Sequence, residues 1–331
     1  MLQMNKRTAI FLSRMGARGV LGQALYDMAK EGKEFFVVSA DLSTASGFDR
    51  IARDFPRLHF NAGIAEANML GLASGLSSSG IPTFATTWSS FACLRIADQV
   101  RNYMGYMKSN LKLVGLDSGF ENNRFGYTHT NSADIAIMCS IPNILVLAPS
   151  DGVELYLALY EALQYKGPVY IRLTGGQTIP IIHNPEKYTF ALKKAEIIRK
   201  GNDVSFISYG STLASVIDVA NQMEEEGFST SIINMHTIRP LDYEAIELAN
   251  ESQLIVTVEE HPLNGGLGSM VASYLSSRKK HASLEIISAK DEFTPAGSYG
   301  YALAYNDMTK ENILDNVRNK LKTMGITSHR V

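Results

Sequence analysis

Five short runs rich in Val, Ile, Leu and Phe punctuate the first half of this chain: EFFVVSA (34–40), IPTFATT (81–87), LKLVG (111–115), ILVL (144–147) and VYIRL (169–173). Segments with apolar residues at helical spacing separate them, at 66–76, 90–107, 132–139 and 152–165, and another precedes them at 19–30. Strands alternating with helices form a parallel sheet covered on both faces, which is why each run is apolar throughout rather than at every second residue. Residues 174–187 hold Gly175, Gly176, Pro180 and Asn184-Pro185 and read as a connection. The pattern then restarts, with strands expected at 204–209, 231–235, 254–259 and 284–288 and helices at 212–226, 243–250 and 267–276. The fold class is therefore α/β with two doubly wound domains, the second smaller. The expected boundaries are 1–180 for the first domain, 181–194 for the linker and 195–331 for the second.

Composition narrows the partners. Lys plus Arg is 31 and Asp plus Glu is 33, a formal charge of −2, so no nucleic-acid partner and no anionic membrane is expected. No apolar segment approaches a membrane span. The opening MLQMNKRTAIFLSRMGA has basic residues before an apolar patch, but Arg14 cuts the patch short and a helical pattern follows. Cys93 and Cys139 lie in apolar surroundings without metal-ligand spacing and read as reduced core residues of a cytoplasmic protein.

In open parallel sheets, ligands gather beyond the carboxyl ends of the strands, so the loops starting at Asp41, Thr87, Leu116, Pro149 and Thr174 draw attention. One stretch, FNAGIAEANMLGLASGL (60–76), holds a single carboxylate, Glu66, in an otherwise small or apolar run. Asn61 and Gly63 read as helix-start signals, placing Glu66 in the first turn of a buried helix, where an acid needs a partner. It is either a carboxylate favouring a helix N-terminus or one held against a base. Trp88 and Phe91, three apart at a strand end, are core residues or a platform for a flat heterocycle. The loop GLDSGFENNRFGYTH (115–129) is long and polar and ends in its one histidine, His129. Arg172, just before a strand's carboxyl end, reads as a pocket-facing cation, and Gly265, Gly266 and Gly268 as a tight turn before a helix. No Walker motif, nicotinamide fingerprint, Ser-His-Asp elbow or metal-ligand cluster occurs.

Together these stretches resemble the transketolase family of thiamine-diphosphate enzymes over nearly the whole chain. The matching motifs are GIAEANM (63–69), TWSSFACLRIADQVRN (87–102), GYTH (126–129), IPNILVLAPSD (141–151) and GPVYIRL (167–173), then TIRPLD (237–242) and VEEHPLNGGLGS (258–269). The resemblance implies a pyrimidine-binding first domain and a transketolase C-terminal second domain. The Gly-Asp-Gly…Asn motif of the diphosphate-binding domain is missing. The chain thus resembles the C-terminal subunit of a split transketolase, whose partner is a separate N-terminal subunit. An α2β2 heterotetramer is implied, with Mg2+ or Ca2+ held by that partner.

By the same resemblance Glu66 hydrogen-bonds N1′ of the cofactor's aminopyrimidine, favouring the imino tautomer that takes the C2 proton. Trp88 and Phe91 match the stacking positions, and Asp41 an aspartate at the cofactor edge of the neighbouring site. His129 matches a histidine contacting substrate hydroxyls, and Arg172 an arginine binding the substrate's terminal phosphate. Asp117 stands where the family has a phosphate-binding histidine, and Phe125 where it has an aspartate reading a donor hydroxyl. A carboxylate repels phosphate, so the implied substrate is an unphosphorylated or nucleotide-linked sugar or a small carbonyl compound, with Arg124 a second cation. The implied reaction moves a two-carbon ketol, or related acyl, unit from a ketose-like donor to an aldehyde. Alternatives are the β subunit of a 2-oxoacid dehydrogenase, disfavoured by GYTH and GPVYIRL, and a non-catalytic partner subunit.

Overall fold

A computed structural model describes residues 1–175 and 178–328. Of the expected connection, Gly176 and Gln177 fall outside the described residues. In the first half, α1 (Lys6–Lys30) leads into β1 (Phe36–Ser39), α2 (Asp49–Asp54), β2 (His59–Asn61), α3 (Glu66–Ser77) and β3 (Thr83–Trp88). A helical segment follows in which two π-type turns, Phe91–Arg95 and Val100–Tyr106, flank α4 (Ala97–Gln99). Then come β4 (Leu111–Leu116), α5 (Asp134–Ser140), β5 (Leu145–Leu147), α6 (Gly152–Gln164) and β6 (Val169–Arg172).

The second half contains β7 (Glu196–Arg199), β8 (Val204–Ser208), α7 (Thr212–Glu225), β9 (Thr230–Asn234) and β10 (Thr237–Arg239). It continues with α8 (Tyr243–Ala249), β11 (Leu254–Pro262), α9 (Leu267–Leu275), β12 (Ser283–Ala289), α10 (Tyr299–Tyr305) and α11 (Lys310–Met324). No described helix is long and apolar enough to cross a membrane.

The first sheet has the order β10-β5-β6-β4-β3-β1-β2 and is parallel except for β10; the second runs β12-β11-β8-β9-β7 and is parallel except for β7. The expected α/β architecture is therefore present. It departs from expectation at the seams. Strand β10 comes from the second half yet closes the first sheet, pairing with β5. Helix α1 begins at Lys6, capped by Asn5, and bends at Gly16, whose φ of 67° is left-handed. Helices α10 and α11 lie beyond the last expected strand.

Three cores fill the layers. One packs α1 and α6 on the first sheet, through Leu21, Leu25, Phe84 and Leu159. Another begins under α3 on the opposite face, with Met69 and Leu70, and continues without a break to Ile207 and Ile233 of the second sheet and Val271 of α9. The third lies under α7 and α11. The middle core joins the two sheets, because burying both apolar faces against each other removes more surface from water than capping each separately.

A polar junction reinforces this seam. Buried His183 lies 2.9 Å from Asp151 Oδ1 and 2.7 Å from Glu196 Oε2. Glu154 accepts from Tyr188 Oη at 2.6 Å and from Asn234 Nδ2 at 2.8 Å. Burial alone would lower the imidazole pKa, but the close carboxylates of Asp151 and Glu196 and the charge of Glu154 push it up to about 11. The imidazolium thus ties the start of α6 to the chain leading into the second sheet.

Candidate active site

Asp41 and Asp117 follow the carboxyl ends of strands β1 and β4 in left-handed conformation, with φ of 58° and 49°. Aspartate is among the few side chains that tolerate this region, and it turns the chain away over the sheet's carboxyl edge. Between these edges, Asn61 accepts from the amides of Asp41 and Gly63, both at 3.0 Å, and its Nδ2 donates to Asp41 Oδ1 at 3.2 Å. Asn61 is therefore a turn residue rather than the expected helix cap. Helix α3 starts at Glu66, behind Ala65, with no side-chain cap.

Glu66 is 6% exposed, and Arg95 Nη1 donates to its Oε1 at 2.8 Å. The Arg95 guanidinium also covers Phe91, 3.8 Å from the ring centroid. Phe91 meets the His129 ring edge-on at 5.3 Å, and His129 meets Phe125 at 5.6 Å. The His129 Nδ1 lies 2.9 Å from the Thr128 hydroxyl. Glu66, Phe91, His129 and Phe125, drawn from three separate stretches, thus form one connected row, with Arg95 as its unforeseen member. Beside it, the hydroxyls of Thr86, Thr87, Ser89 and Ser90 are buried without a protein partner. Buried hydroxyls without a protein partner are uncommon, and these cluster at the carboxyl end of β3.

Trp88 takes a different place. Its indole packs on the α1 side of the sheet, with the Arg18 guanidinium 5.5 Å from the ring. Phe91 rather than Trp88 supplies the ring face next to Glu66, which corrects the expectation of a two-ring platform.

Arg172 needs a larger correction. It is 1% exposed and donates from Nε to both oxygens of buried Asp134 at 3.0 Å and from Nη2 to Glu260 O at 3.2 Å. Burial opposes its charge, but Asp134 more than compensates and keeps the guanidinium ionised. Enclosed this way, Arg172 is a structural ion pair and does not face a pocket.

Arg18 and Arg124, by contrast, do line a cavity. They share a space of about 480 Å³ with Asp117, Glu121, Asn122 and Tyr299. Arg18 Nε lies 3.4 Å from Asp117 Oδ1, and the Arg124 guanidinium lies over the Phe125 ring at 4.6 Å. Burial raises the Asp117 pKa against the pull of Arg18 and Arg124. Burial, helped by Asp117 and Glu260, pushes Glu121 up to about 7. Two cations thus face two acids, one of which titrates near neutrality.

The cavity's back wall spans both halves. Glu260 accepts from the Phe120 amide at 3.0 Å and from the hydroxyls of Ser211, at 2.7 Å, and Tyr299. Gly119 permits this approach: it has φ of 69°, and a Cβ there would stand 2.3 Å from Glu260 Oε2. At the glycine-rich turn, Glu259 accepts from the amides of Leu267 and Gly268 at 2.7 and 2.8 Å. The start of α9 is thereby occupied by the chain's own carboxylate, which suits a tight turn and leaves no phosphate cradle.

Comparison with known proteins identifies the family. Residues 13–178 match the pyrimidine-binding domain of transketolase, and residues 193–313 match its C-terminal domain. The chain belongs to the transketolase family. It is 34% identical over 93% of its length to 96% of a putative transketolase C-terminal section from Methanocaldococcus jannaschii. It is 31% identical over 94% of its length to 96% of a 6-deoxy-6-sulfo-D-fructose transketolase subunit from Clostridium sp. (strain MSTE9). A solved split-gene transketolase, described as an inactive β4 tetramer, superposes with a TM-score of 0.82 at 30% identity, covering 93% of this chain and 98% of that one.

The transketolase family depends on thiamine diphosphate, and the residues present fit its pyrimidine half. They include a buried carboxylate, an aromatic face beside it and unpartnered hydroxyls nearby. They do not resemble a metal centre. Among the described residues the one grouping with ligand-like spacing is Glu154, His183 and Glu196, which forms the junction between the two halves.

Proposed function

We propose that this chain is the C-terminal subunit of a thiamine-diphosphate transketolase-like enzyme. It would transfer a two-carbon ketol unit, or a related acyl unit, from a ketose-like donor to an aldehyde acceptor. The observation that carries the proposal is a single buried carboxylate, Glu66, linked through Arg95 to an aromatic face and a histidine. In this reading Glu66 holds a proton against N1′ of the aminopyrimidine, where burial strengthens the hydrogen bond. Phe91 would offer its face to the ring. His129, held by Thr128, offers its other nitrogen to substrate hydroxyls. Thiamine diphosphate supplies the nucleophilic carbon that carries the transferred unit, and its diphosphate and metal would be gripped by an N-terminal partner subunit in an α2β2 assembly.

The surface supports such a partner. Ile64, Leu72, Leu94, Tyr106 and Met107 are exposed large apolar side chains on or beside α3 and the 91–107 segment, the elements that hold Glu66 and Phe91. Exposed apolar groups of this kind mark association surfaces.

The substrate would differ from an ordinary sugar phosphate. Asp117 already faces Arg18, and Arg172 is sequestered by Asp134, so a phosphate would meet arginines whose charge is largely answered. An unphosphorylated sugar or a small carbonyl compound fits this balance better. Replacing Glu66 with Ala in the reconstituted complex should lower turnover by about 10²–10⁴-fold, the usual worth of a positioned acid. Near-normal turnover would remove the role assigned to it.

A further inference from the structure

Arg95 does two things at once. Its Nη1 donates to Glu66 Oε1 at 2.8 Å, and its guanidinium carbon lies 3.8 Å from the Phe91 centroid. A flat group that hydrogen-bonds this carboxylate while stacking on this ring takes the place assigned above to the aminopyrimidine, whose N1′–H would donate to a carboxylate in the imino form. Two flat groups cannot share one face of one ring at stacking distance. His129 meets Phe91 edge-on and so does not take that face. Arg95 itself is half exposed, with 49% of its side chain accessible, so it has room to move outward. It ends the π-type turn that begins at Phe91, and such turns recur at functional sites.

We propose that Arg95 is a built-in occupant of the pyrimidine slot, a stand-in that keeps Glu66 paired and Phe91 covered until the cofactor displaces it. The proposal rests on the reading of Glu66 given above and adds a competition to it. Without a cofactor, a nearly buried carboxylate beside a bare ring would be costly, and the guanidinium answers both. On cofactor entry the ion pair must break and the side chain must swing to solvent, so closed and open forms compete for one site. A half-exposed ion pair and a cation–π contact together favour the closed form by roughly tenfold. The apparent affinity for cofactor is then reduced by the same factor.

The test uses the full chain assembled with its N-terminal subunit and measures thiamine diphosphate binding in the presence of Mg2+ by calorimetry. Arg95→Met keeps length and apolar stem but removes the charged fork. The variant should bind the cofactor about tenfold more tightly than wild type. Low-millimolar guanidinium chloride should weaken binding to the variant again, whereas equal sodium chloride should not. Arg95→Lys, which keeps charge but stacks poorly, should fall between the two. Unchanged or weaker binding by Arg95→Met, in a complex of normal melting temperature, overturns the stand-in role while leaving the parent reading intact. If Arg95→Met assembles poorly, Arg95→Lys decides, and affinity equal to wild type counts against the proposal. No binding by the wild-type complex defeats the parent reading and this proposal together.

Discussion

Asp117 shows how one side chain can redirect a site without disturbing its frame. It follows β4 in left-handed conformation and puts a carboxylate 3.4 Å from Arg18, in a cavity whose other acid, Glu121, titrates at about 7. Replacing Asp117 with His should raise kcat/KM for phosphorylated sugars by roughly tenfold, since one repulsive contact becomes an attractive one. Steady-state kinetics of the complex check this, and no gain would remove the substrate inference. The same measurement carries a pH signature. Below about pH 7 Glu121 is protonated and the cavity is more positive, so phosphorylated substrates should be used better there than at pH 8. The buried place of Glu66 at the start of α3 was legible in the sequence because it is the one carboxylate in an otherwise small or apolar run. Arg172 was misread because its position on a strand shows only that it nears an edge. Its partner, Asp134, lies 38 residues away on another element. Arg95 stands inside a recognisable motif, yet its significance depends on Glu66, 29 residues earlier, meeting it in space.

At the scale of elements, the parallel strands announced themselves through unbroken apolar runs. Helix α11, which was not among the expected elements, has Ile313, Leu314, Val317 and Leu321 on one face, a Thr309 cap and Gly325 in left-handed conformation after its end. Strand β10 did not announce itself, since a three-residue strand has too little pattern to specify pairing, least of all with a sheet built from another part of the chain. The loop from β4 to α5 carries much of the candidate site, and its anchor is the contact of Gly119 with Glu260. Gly119→Ala would force a Cβ to within 2.3 Å of Glu260 Oε2 at an unfavourable φ. It should cost about 1–3 kcal/mol of stability and loosen the loop holding Asp117 and His129. Denaturant titration together with limited proteolysis between residues 117 and 129 would show both effects. Wild-type resistance in that loop would mean that the contact does not anchor it.

The whole molecule is held together by a shared apolar core and by the His183 junction. A histidine pKa raised from 6.5 to about 11 contributes stability that is complete below pH 6.5 and is lost as pH rises toward 11. His183→Gln should therefore lower stability by about 3–5 kcal/mol near pH 6 and flatten the decline above it. Thermal melts across pH 6–10 would read both, and an unchanged slope would mean the imidazole is not the titrating link.

The central claim is that this molecule supplies only the acid-bearing half of a cofactor site. Calorimetric titration of thiamine diphosphate and Mg2+ into the isolated chain, and then into the chain with its N-terminal subunit, tests it most directly. The account predicts no saturable tight binding by the chain alone and saturable, metal-dependent binding once the second subunit is present. Tight, metal-dependent binding by the isolated chain would contradict it.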